Sequence, residues 1–135
     1  NPLYRVVPYE GMIETLDALK RRGIRLAVCT NKPHQAAVET VEGIFGRGYF
    51  DGIQGQCDSV RRKPAPDGPL AMARLFGVSP EECVYVGDTW TDMQTGKAAG
   101  MYTVGVLWGF RTRKELEENH ADRIISHPKE LLNIL

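Results

Sequence analysis

The sequence has no long apolar run and no excess of charge of one sign. No stretch approaches the roughly 20 apolar residues that a membrane-spanning helix needs, and no signal-peptide pattern opens the chain. Lysine plus arginine number 17, as do aspartate plus glutamate, so no overall field attracts nucleic acid or an anionic membrane. We therefore expect neither as a partner, and an anionic ligand would need a local site.

Cysteine is also scarce, and its spacing argues against two kinds of site. The three residues, Cys29, Cys57 and Cys83, are odd in number and lack the spacing of metal ligands. Two of them lie in apolar, strand-like contexts. These features predict buried free thiols in a cytoplasmic protein rather than disulfides or a zinc site.

What the sequence does contain is a regular alternation of helix and strand patterns. Its 135 residues are expected to form a single domain, residues 1–135. Strands are predicted at 24–29, 49–56, 83–86, 102–107 and 123–125, the second being weak because two glycines interrupt it. Helices are predicted at 10–22, 33–45, up to about 76 with Gly77 as the stop, from Thr91 or Asp92 on to Gly100, at 112–119 and from 128 onward. Ser79-Pro80-Glu81-Glu82 predicts a capping box on a short helical turn. This alternation predicts an α/β fold, a parallel sheet covered by helices on both faces.

The stretch with the clearest chemistry is Val84-Tyr85-Val86-Gly87-Asp88-Thr89-Trp90-Thr91-Asp92. Its apolar start predicts a strand buried on both faces, and Asp88 follows at the carboxyl end, where open parallel sheets bind ligands. A carboxylate there is a natural ligand for Mg²⁺. Asp92, one helical turn later, could orient the site, and Thr91 or Asp92 could cap the helix. The alternative is that both aspartates are only turn and cap residues.

Two further segments carry polar groups beside predicted strands or in a stiff loop. Thr30 and Asn31 follow the strand at 24–29, where a hydroxyl and backbone N–H groups at a helix N-terminus could hold an anion. Lys63 lies in Arg62-Lys63-Pro64-Ala65-Pro66-Asp67, whose prolines would hold one cation in place. Each segment also has an ordinary interpretation, as a helix cap and as a solvated lysine. Together with the aspartate pair they suit one task, holding a phosphoryl group against a metal ion.

These segments resemble, in order, motifs of the haloacid dehalogenase-like hydrolases, most closely their phosphoglycolate phosphatase-type members. Thr30-Asn31-Lys32-Pro33 is similar to the second motif, Lys63-Pro64-Ala65-Pro66 to the third, and Gly87-Asp88-Thr89-Trp90-Thr91-Asp92 to the fourth. Pro8-Tyr9-Glu10-Gly11 resembles the family's Pro-x-x-Gly lead-in. The resemblance covers nearly the whole chain and implies a Rossmann-like three-layer α/β/α core.

The resemblance also implies a role for each site residue. Thr30 would bind the transferring phosphoryl group through its hydroxyl, with the Asn31 amide helping. Lys63 would neutralise charge between the phosphoryl oxygens and the nucleophile. Asp88 would ligate Mg²⁺ directly, and Asp92 would hold the metal's outer shell and Lys63 in position.

One motif of the family is absent from these 135 residues. The Asp-x-Asp-x-Thr sequence, which supplies the nucleophile and the general acid/base, does not occur. The helical cap domain is missing as well. We therefore expect the chain to be the carboxyl-terminal part of a longer phosphatase, inactive alone and partnered by its missing amino-terminal segment. The first strand, carrying that motif, would lie between the strands at 24–29 and 83–86 and leave them roughly 9–10 Å apart.

The expected function is Mg²⁺-dependent hydrolysis of a small phosphomonoester, a phosphorylated metabolite, through an aspartyl-phosphate. The Gly-Asp-Thr-x-x-Asp sequence favours the phosphatase branch of the family over the metal-free dehalogenases. A second hypothesis is a non-catalytic phosphate- or nucleotide-binding module on the same scaffold. A third is an interaction domain that uses Trp108 and Phe110, two aromatic residues in one loop.

Overall fold

The computed structural model describes residues 9–109 and 112–135. The predicted extended entry at 1–8, including Pro8 of the lead-in, and Phe110 of the aromatic loop lie outside the described residues. The helices are α1 (Met12–Arg21), α2 (His34–Phe45), α3 (Asp67–Phe76), α4 (Trp90–Ala99) and α5 (Arg113–Glu118), with 3₁₀ turns at Pro80–Glu82 and Pro128–Asn133. The strands are β1 (Ala27–Pro33), β2 (Gly52–Gln56), β3 (Val84–Gly87), β4 (Tyr102–Val106) and β5 (Arg123–Ile125).

The five strands of the described residues pair in parallel, in two groups. One sheet has the order β1-β2, and the other has the order β3-β4-β5. Strand and helix alternate along the chain, so the predicted parallel α/β fold is confirmed. Val28 of β1 and Val86 of β3 lie in different sheets and do not pair. That an additional strand lies between them stays a prediction.

Helix α3 connects the two sheets. It packs against β1, β2 and α4, and its Ala73 belongs to a buried cluster with Tyr85 of β3. Cys29 of β1 packs against the same cluster. A second cluster fills the other side of the three-stranded sheet and contains Val104, Val106, Ile125 and Leu131. The carboxyl ends of β1 and β3 are therefore brought together by packing even though the strands share no hydrogen bonds.

The first predicted strand, 24–29, begins three residues later in the structure and also ends later. Pairing begins at Ala27, opposite Gly52, and β1 continues through Thr30 to Pro33. Leu26 instead exchanges two 2.8 Å hydrogen bonds with Asp51, one through the carboxylate and one through the backbone. Pro33, predicted in the first helical turn, is the last residue of β1 and the N-cap of α2.

The weak strand proved real, and its glycines are the reason that it fits. At Gly55 an added Cβ would lie 2.5 Å from the Cα of His34 and 2.8 Å from the Lys32 carbonyl oxygen. The backbones approach too closely there for any side chain. A pattern that counted glycine as an interruption therefore underestimated this strand.

Three further predictions need correction. Val86 is 39% exposed, so β3 is not buried on both faces. The cap of α4 is Thr89, whose side chain accepts a hydrogen bond from the Asp92 N–H, rather than Thr91 or Asp92. Of the three free thiols, Cys57 is exposed because it lies at the end of β2 in an open turn.

Two findings concern expected partners. Among residues 9–109 and 112–135, no helix combines the length and apolar character needed to cross a membrane. Trp108 stacks on Tyr9, with ring centroids 5.3 Å apart, and packs against the second core cluster. The Trp108 indole is thus partly engaged by contacts within the chain, and its role in an interaction domain stays a prediction.

Candidate active site

A chain of polar contacts joins three segments at the carboxyl ends of β1 and β3. Asn31 Oδ1 accepts a 2.8 Å hydrogen bond from the Lys63 backbone N–H. The Lys63 Nζ donates to Asp92 Oδ1 at 2.8 Å. Asp92 Oδ2 in turn accepts from the Asp88 N–H at 3.2 Å. The structure therefore brings Asn31, Lys63, Asp88 and Asp92 together in one place.

Asp92 is held rigidly at the start of α4. It is 8% exposed, and its Oδ2 also accepts from the Thr89 hydroxyl at 3.1 Å. Its own N–H donates to that hydroxyl at 3.2 Å. A Cβ added to Gly87 would lie 2.2 Å from the Asp92 Cβ, so only glycine allows the strand end to pass this close. The end of β3, the Thr89 cap and the Asp92 carboxylate therefore contact one another directly.

The Lys63–Asp92 ion pair is largely shielded from water. The side chains are 19% and 12% exposed, respectively. Shielding strengthens the attraction, and it also makes loss of either partner costly, because the remaining charge stays partly buried. The pair fixes the position of the lysine ammonium at the edge of the sheet.

Asp88 lies in surroundings that oppose its negative charge. Burial, followed by the neighbouring Asp92 carboxylate, raises the pKa of Asp88 above its ordinary value, while Lys63 acts in the opposite direction. The backbone of Gly109 lies against it, since a Cβ added there would be 2.2 Å from Asp88 Oδ2. A carboxylate in such a setting gains from any cation that reaches it.

Thr30 has a different setting from the one predicted. It lies within β1 and its hydroxyl accepts a 3.2 Å hydrogen bond from the Lys32 N–H. Helix α2 begins three residues beyond Asn31, at His34. Thr30 and Asn31 are therefore strand-end residues and neither caps the helix nor lies at its N-terminus. The Thr30 hydroxyl and the neighbouring backbone amides still lie beside Asn31, whose side chain contacts Lys63.

The donors fit a magnesium site in part. Within residues 9–109 and 112–135, no group of three or more His, Cys, Asp or Glu side chains lies close enough together to hold a metal ion. Two carboxylates, Asp88 and Asp92, are adjacent, and Asp92 is engaged by Lys63. Mg²⁺ commonly keeps several waters and takes only one or two carboxylates plus substrate phosphate. Asp88 suits direct ligation, and Asp92 suits an outer position.

Sequence reasoning missed three residues at this site. Thr89 could have been found, because Thr followed by an acidic residue three positions later is a capping pattern. Glu115 of α5 accepts a 3.0 Å hydrogen bond from the Trp90 N–H and so fastens the start of α4. Nothing local could reveal that contact, which joins residues 25 apart. Gly109, described above, is the third.

Cys29 is close to Lys63 and Asp92 but is not suited to chemistry. Burial is the main cause that raises the pKa of its thiol to about 11, with Lys63 opposing and Asp92 adding to the shift. The neutral thiol is a weak nucleophile. Its contacts are those of a packing residue between β1 and the cluster around Tyr85.

Comparison with known proteins shows the family that the chain is similar to. The family model described as haloacid dehalogenase-like hydrolase matches residues 4–100. A phosphoglycolate phosphatase of Aquifex aeolicus is 34% identical over 135 residues, covering 100% of this chain and 62% of that protein. The phosphoglycolate phosphatase of Escherichia coli K12 is 33% identical over 127 residues, covering 94% of this chain and 50% of that protein.

A solved structure gives the same likeness in three dimensions. It is a candidate phosphoglycolate phosphatase from Lactobacillus delbrueckii subsp. bulgaricus, with a TM-score of 0.89 and 35% sequence identity. The match covers 95% of this chain and 53% of that one. The 135 residues thus span between about half and 62% of the lengths of these relatives.

Proposed function

The chain belongs to the haloacid dehalogenase-like hydrolase family, and on this basis we propose that the protein carrying it is a Mg²⁺-dependent phosphatase of small phosphomonoesters. The observation that carries the proposal is the continuous contact from Asn31 through Lys63 to Asp92 and Asp88. It assembles a cation, a polar strand end and paired carboxylates at the edge where parallel sheets bind ligands. The names of the relatives suggest phosphoglycolate as the first substrate to test.

Each residue has a proposed task that follows from its chemistry. Lys63, held by Asp92, neutralises charge on the phosphoryl oxygens. Thr30 and Asn31 donate hydrogen bonds to the same oxygens. Asp88 holds Mg²⁺, which when bound offsets further phosphoryl charge, and Asp92 keeps both Lys63 and the metal's outer shell in position.

The nucleophile is proposed to come from outside these 135 residues, in an Asp-x-Asp-x-Thr segment. Its first carboxylate would attack phosphorus, and the phosphorus–oxygen bond to the alcohol would break as the second aspartate protonates the departing oxygen. Water would then release phosphate and restore the carboxylate. On this proposal the 135-residue chain by itself binds phosphate but does not turn over, and its partner is that segment.

A second function has one observation in its favour. Because Asp-x-Asp-x-Thr does not occur in the 135 residues, the same groups could serve a non-catalytic phosphate- or nucleotide-binding module. Reading the coding sequence before Asn1 discriminates between the two. An Asp-x-Asp-x-Thr there favours the phosphatase.

The decisive experiment measures inorganic phosphate released from phosphoglycolate by the full-length protein, with Mg²⁺ and with excess EDTA. We expect Mg²⁺-dependent release that falls by about 100-fold or more in Lys63→Met, because a preorganised cation at developing charge is worth that much. Arg47→Gln is the control, since it removes one exposed positive charge from the loop before β2, at the opposite end of that strand. Phosphate binding without release from any of a panel of small phosphomonoesters would establish the binding module instead.

A further inference from the structure

The turn at residues 107–109, which follows β4, contacts both the aspartate site and the segment before α1. Its Gly109 lies against Asp88, since an added Cβ would be 2.2 Å from Asp88 Oδ2 and 2.6 Å from the Asp88 Cβ. Its Trp108 stacks on Tyr9, three residues before the start of α1. Two adjacent residues of one turn thus link Tyr9 to the Asp88 carboxylate.

The contact between Gly109 and Asp88 leaves no room for a side chain at residue 109. The added Cβ would also lie 2.8 Å from Asp88 Cγ, which is closer than van der Waals contact allows. The Gly109 backbone is therefore a wall beside the carboxylate. It excludes those rotamers of Asp88 that would collide with it. The place of the wall decides where the carboxylate oxygens can lie.

The turn is held in place largely by Trp108. The indole packs against the second core cluster and stacks on Tyr9, with ring centroids 5.3 Å apart and ring planes inclined by 19°. The Leu107 N–H adds a 3.0 Å hydrogen bond to the Ile125 carbonyl oxygen. Gly109 has no side chain with which to anchor itself, so its position depends on these neighbours.

Tyr9 is itself fixed by the start of α1. Its carbonyl oxygen accepts a 2.9 Å hydrogen bond from the Met12 N–H. Gly11, with a φ of +86°, lies against the His127 imidazole, because an added Cβ would be 2.8 Å from the His127 Cε1. The Thr15 hydroxyl donates to the Gly11 carbonyl oxygen at 2.8 Å. The Tyr9 side chain is 45% exposed, so shortening it empties no part of the core.

We propose that this turn is a positioning element for the metal site: Gly109 sets the place of the Asp88 carboxylate, and the stack of Trp108 on Tyr9 holds Gly109 against it. The proposal rests on the proposed function for the identity of the cation at Asp88. Tyr9 and Trp108 act through Gly109 and are positioning residues. A carboxylate that is already held in place loses less conformational freedom when the cation binds, which favours binding.

The first measurement is the Mg²⁺ affinity of the full-length protein, by calorimetric titration at a temperature where circular dichroism shows every variant folded. Tyr9→Leu removes the stack, and Tyr9→Phe, the matched control, retains it. We expect Tyr9→Leu to weaken Mg²⁺ binding about two- to tenfold, the range that a stacked aromatic pair supplies, and Tyr9→Phe to bind as the wild type does. Gly109→Ala, whose Cβ displaces the carboxylate directly, should weaken binding by more than about tenfold.

A remote control is Leu75→Ala. Leu75 is 60% exposed and lies beside Gly52, at the amino end of β2, whereas the site lies at the carboxyl ends of the strands. This variant also shortens an exposed apolar side chain, and it should leave the Mg²⁺ affinity unchanged. A role of Tyr9 confined to covering the core would lower stability in Tyr9→Leu without changing the affinity of the folded protein.

The second measurement needs no metal. Residues that share a backbone shift have non-additive effects on stability, whereas the effects of distant residues add. Urea denaturation in EDTA at pH 7 is followed for Asp88→Asn in the wild-type, Tyr9→Leu and Leu75→Ala backgrounds. The change that Asp88→Asn causes in the urea midpoint should be about twofold smaller with Tyr9→Leu, because a carboxylate released from the wall reaches water. It should be the same with Leu75→Ala as in the wild type.

The outcomes distinguish this inference from the proposed function. Equal Mg²⁺ affinity of Tyr9→Leu and Tyr9→Phe, wild-type affinity in Gly109→Ala, or additive effects of Tyr9→Leu and Asp88→Asn in EDTA would each overturn the positioning role and leave the phosphatase standing. A wild-type protein that binds no Mg²⁺ but shows the non-additivity supports the positioning of Asp88 and contradicts only the Mg²⁺-dependent phosphatase.

Discussion

Asp88 shows how single residues prepare this site for a cation. Burial and the adjacent Asp92 raise its pKa, so in the metal-free protein its charged form is disfavoured. Lys63 offsets this only partly, because its ammonium is bonded to Asp92 Oδ1 at 2.8 Å. A cation bound beside Asp88 would relieve this unfavourable charge. Two measurable predictions concern this residue.

The first prediction separates the metal ligand from the phosphate-binding cation. Asp88→Asn removes one of only two adjacent carboxylates and should weaken Mg²⁺ binding by more than about tenfold. Lys63→Met removes a neighbouring positive charge and should leave Mg²⁺ affinity nearly intact while it lowers turnover. Calorimetric titration of Mg²⁺ into both full-length variants checks this. Equal losses of affinity in the two would contradict the separate roles.

The second prediction concerns pH and stability without metal. Because the folded-state pKa of Asp88 is raised, its contribution to stability is fully present at low pH and is lost as pH rises through that pKa. Asp88→Asn should therefore raise the free energy of unfolding at pH 7, and this advantage should narrow as the pH falls toward 4. Urea denaturation in EDTA at several pH values measures it. A destabilised variant at pH 7 would show that the charge is not disfavoured.

At the scale of one element, the first turn of α4 joins a helix cap to the site. The Thr89 side chain accepts from the Asp92 N–H, and its hydroxyl donates to the Asp92 carboxylate. Thr89 thus lies at the end of the short loop after β3, caps α4 and orients Asp92, the partner of Lys63. Glu115 of α5 accepts a hydrogen bond from the next backbone N–H, that of Trp90.

The third prediction tests that cap. Thr89→Ala should lower the free energy of unfolding by about 1 kcal/mol, the usual loss for a removed N-cap. On the proposed function it should also lower turnover of the full-length protein, because Asp92 loses a hydrogen bond that positions it. Thr89→Ser retains the hydroxyl and is the matched control for both measurements. If Ala and Ser variants behave alike, the cap does not position Asp92.

At the scale of the whole molecule, the strands divide into β1-β2 and β3-β4-β5. Helix α3 and the Lys63–Asp92 pair connect the two sheets, without a backbone ladder between them. Val86 of β3 is 39% exposed, although it lies on a strand adjoining the core. These features favour the prediction that a strand from outside the described residues lies between β1 and β3.

The fourth prediction follows from that division. In the full-length protein, β3 amides that do not pair with β4 should be protected from hydrogen exchange by the additional strand. In the 135-residue chain the same amides should exchange much faster, while β4 amides change less. Peptide-resolved exchange on both proteins measures the contrast. Equal protection of β3 in the two would mean that no strand joins it there.

The amino-acid sequence by itself determined the features that depend on near neighbours. Alternation of short apolar runs with helical spacing indicated the parallel α/β fold, and the Ser79 capping box and the helix ends at Gly77 and Gly100 occur as local chemistry requires. The segments around Asn31, Lys63 and Asp88 were found because each follows a strand or lies in a stiff loop. These signals span at most one helical turn or one strand, so they can be recognised from the amino-acid sequence alone.

Only the tertiary structure decided where those segments meet. Lys63 contacts Asp92 across 29 residues and Asn31 across 32, and no local pattern encodes such distances. The strand shift to Ala27–Pro33 depends on β2, and the fit of Gly55 depends on the backbone of His34. A cavity lined by Pro33, Gln56 and Arg62 likewise exists because two strand ends and one loop pack together. Packing fixes register, close approach and burial jointly, so these features follow from the whole fold rather than from any one segment.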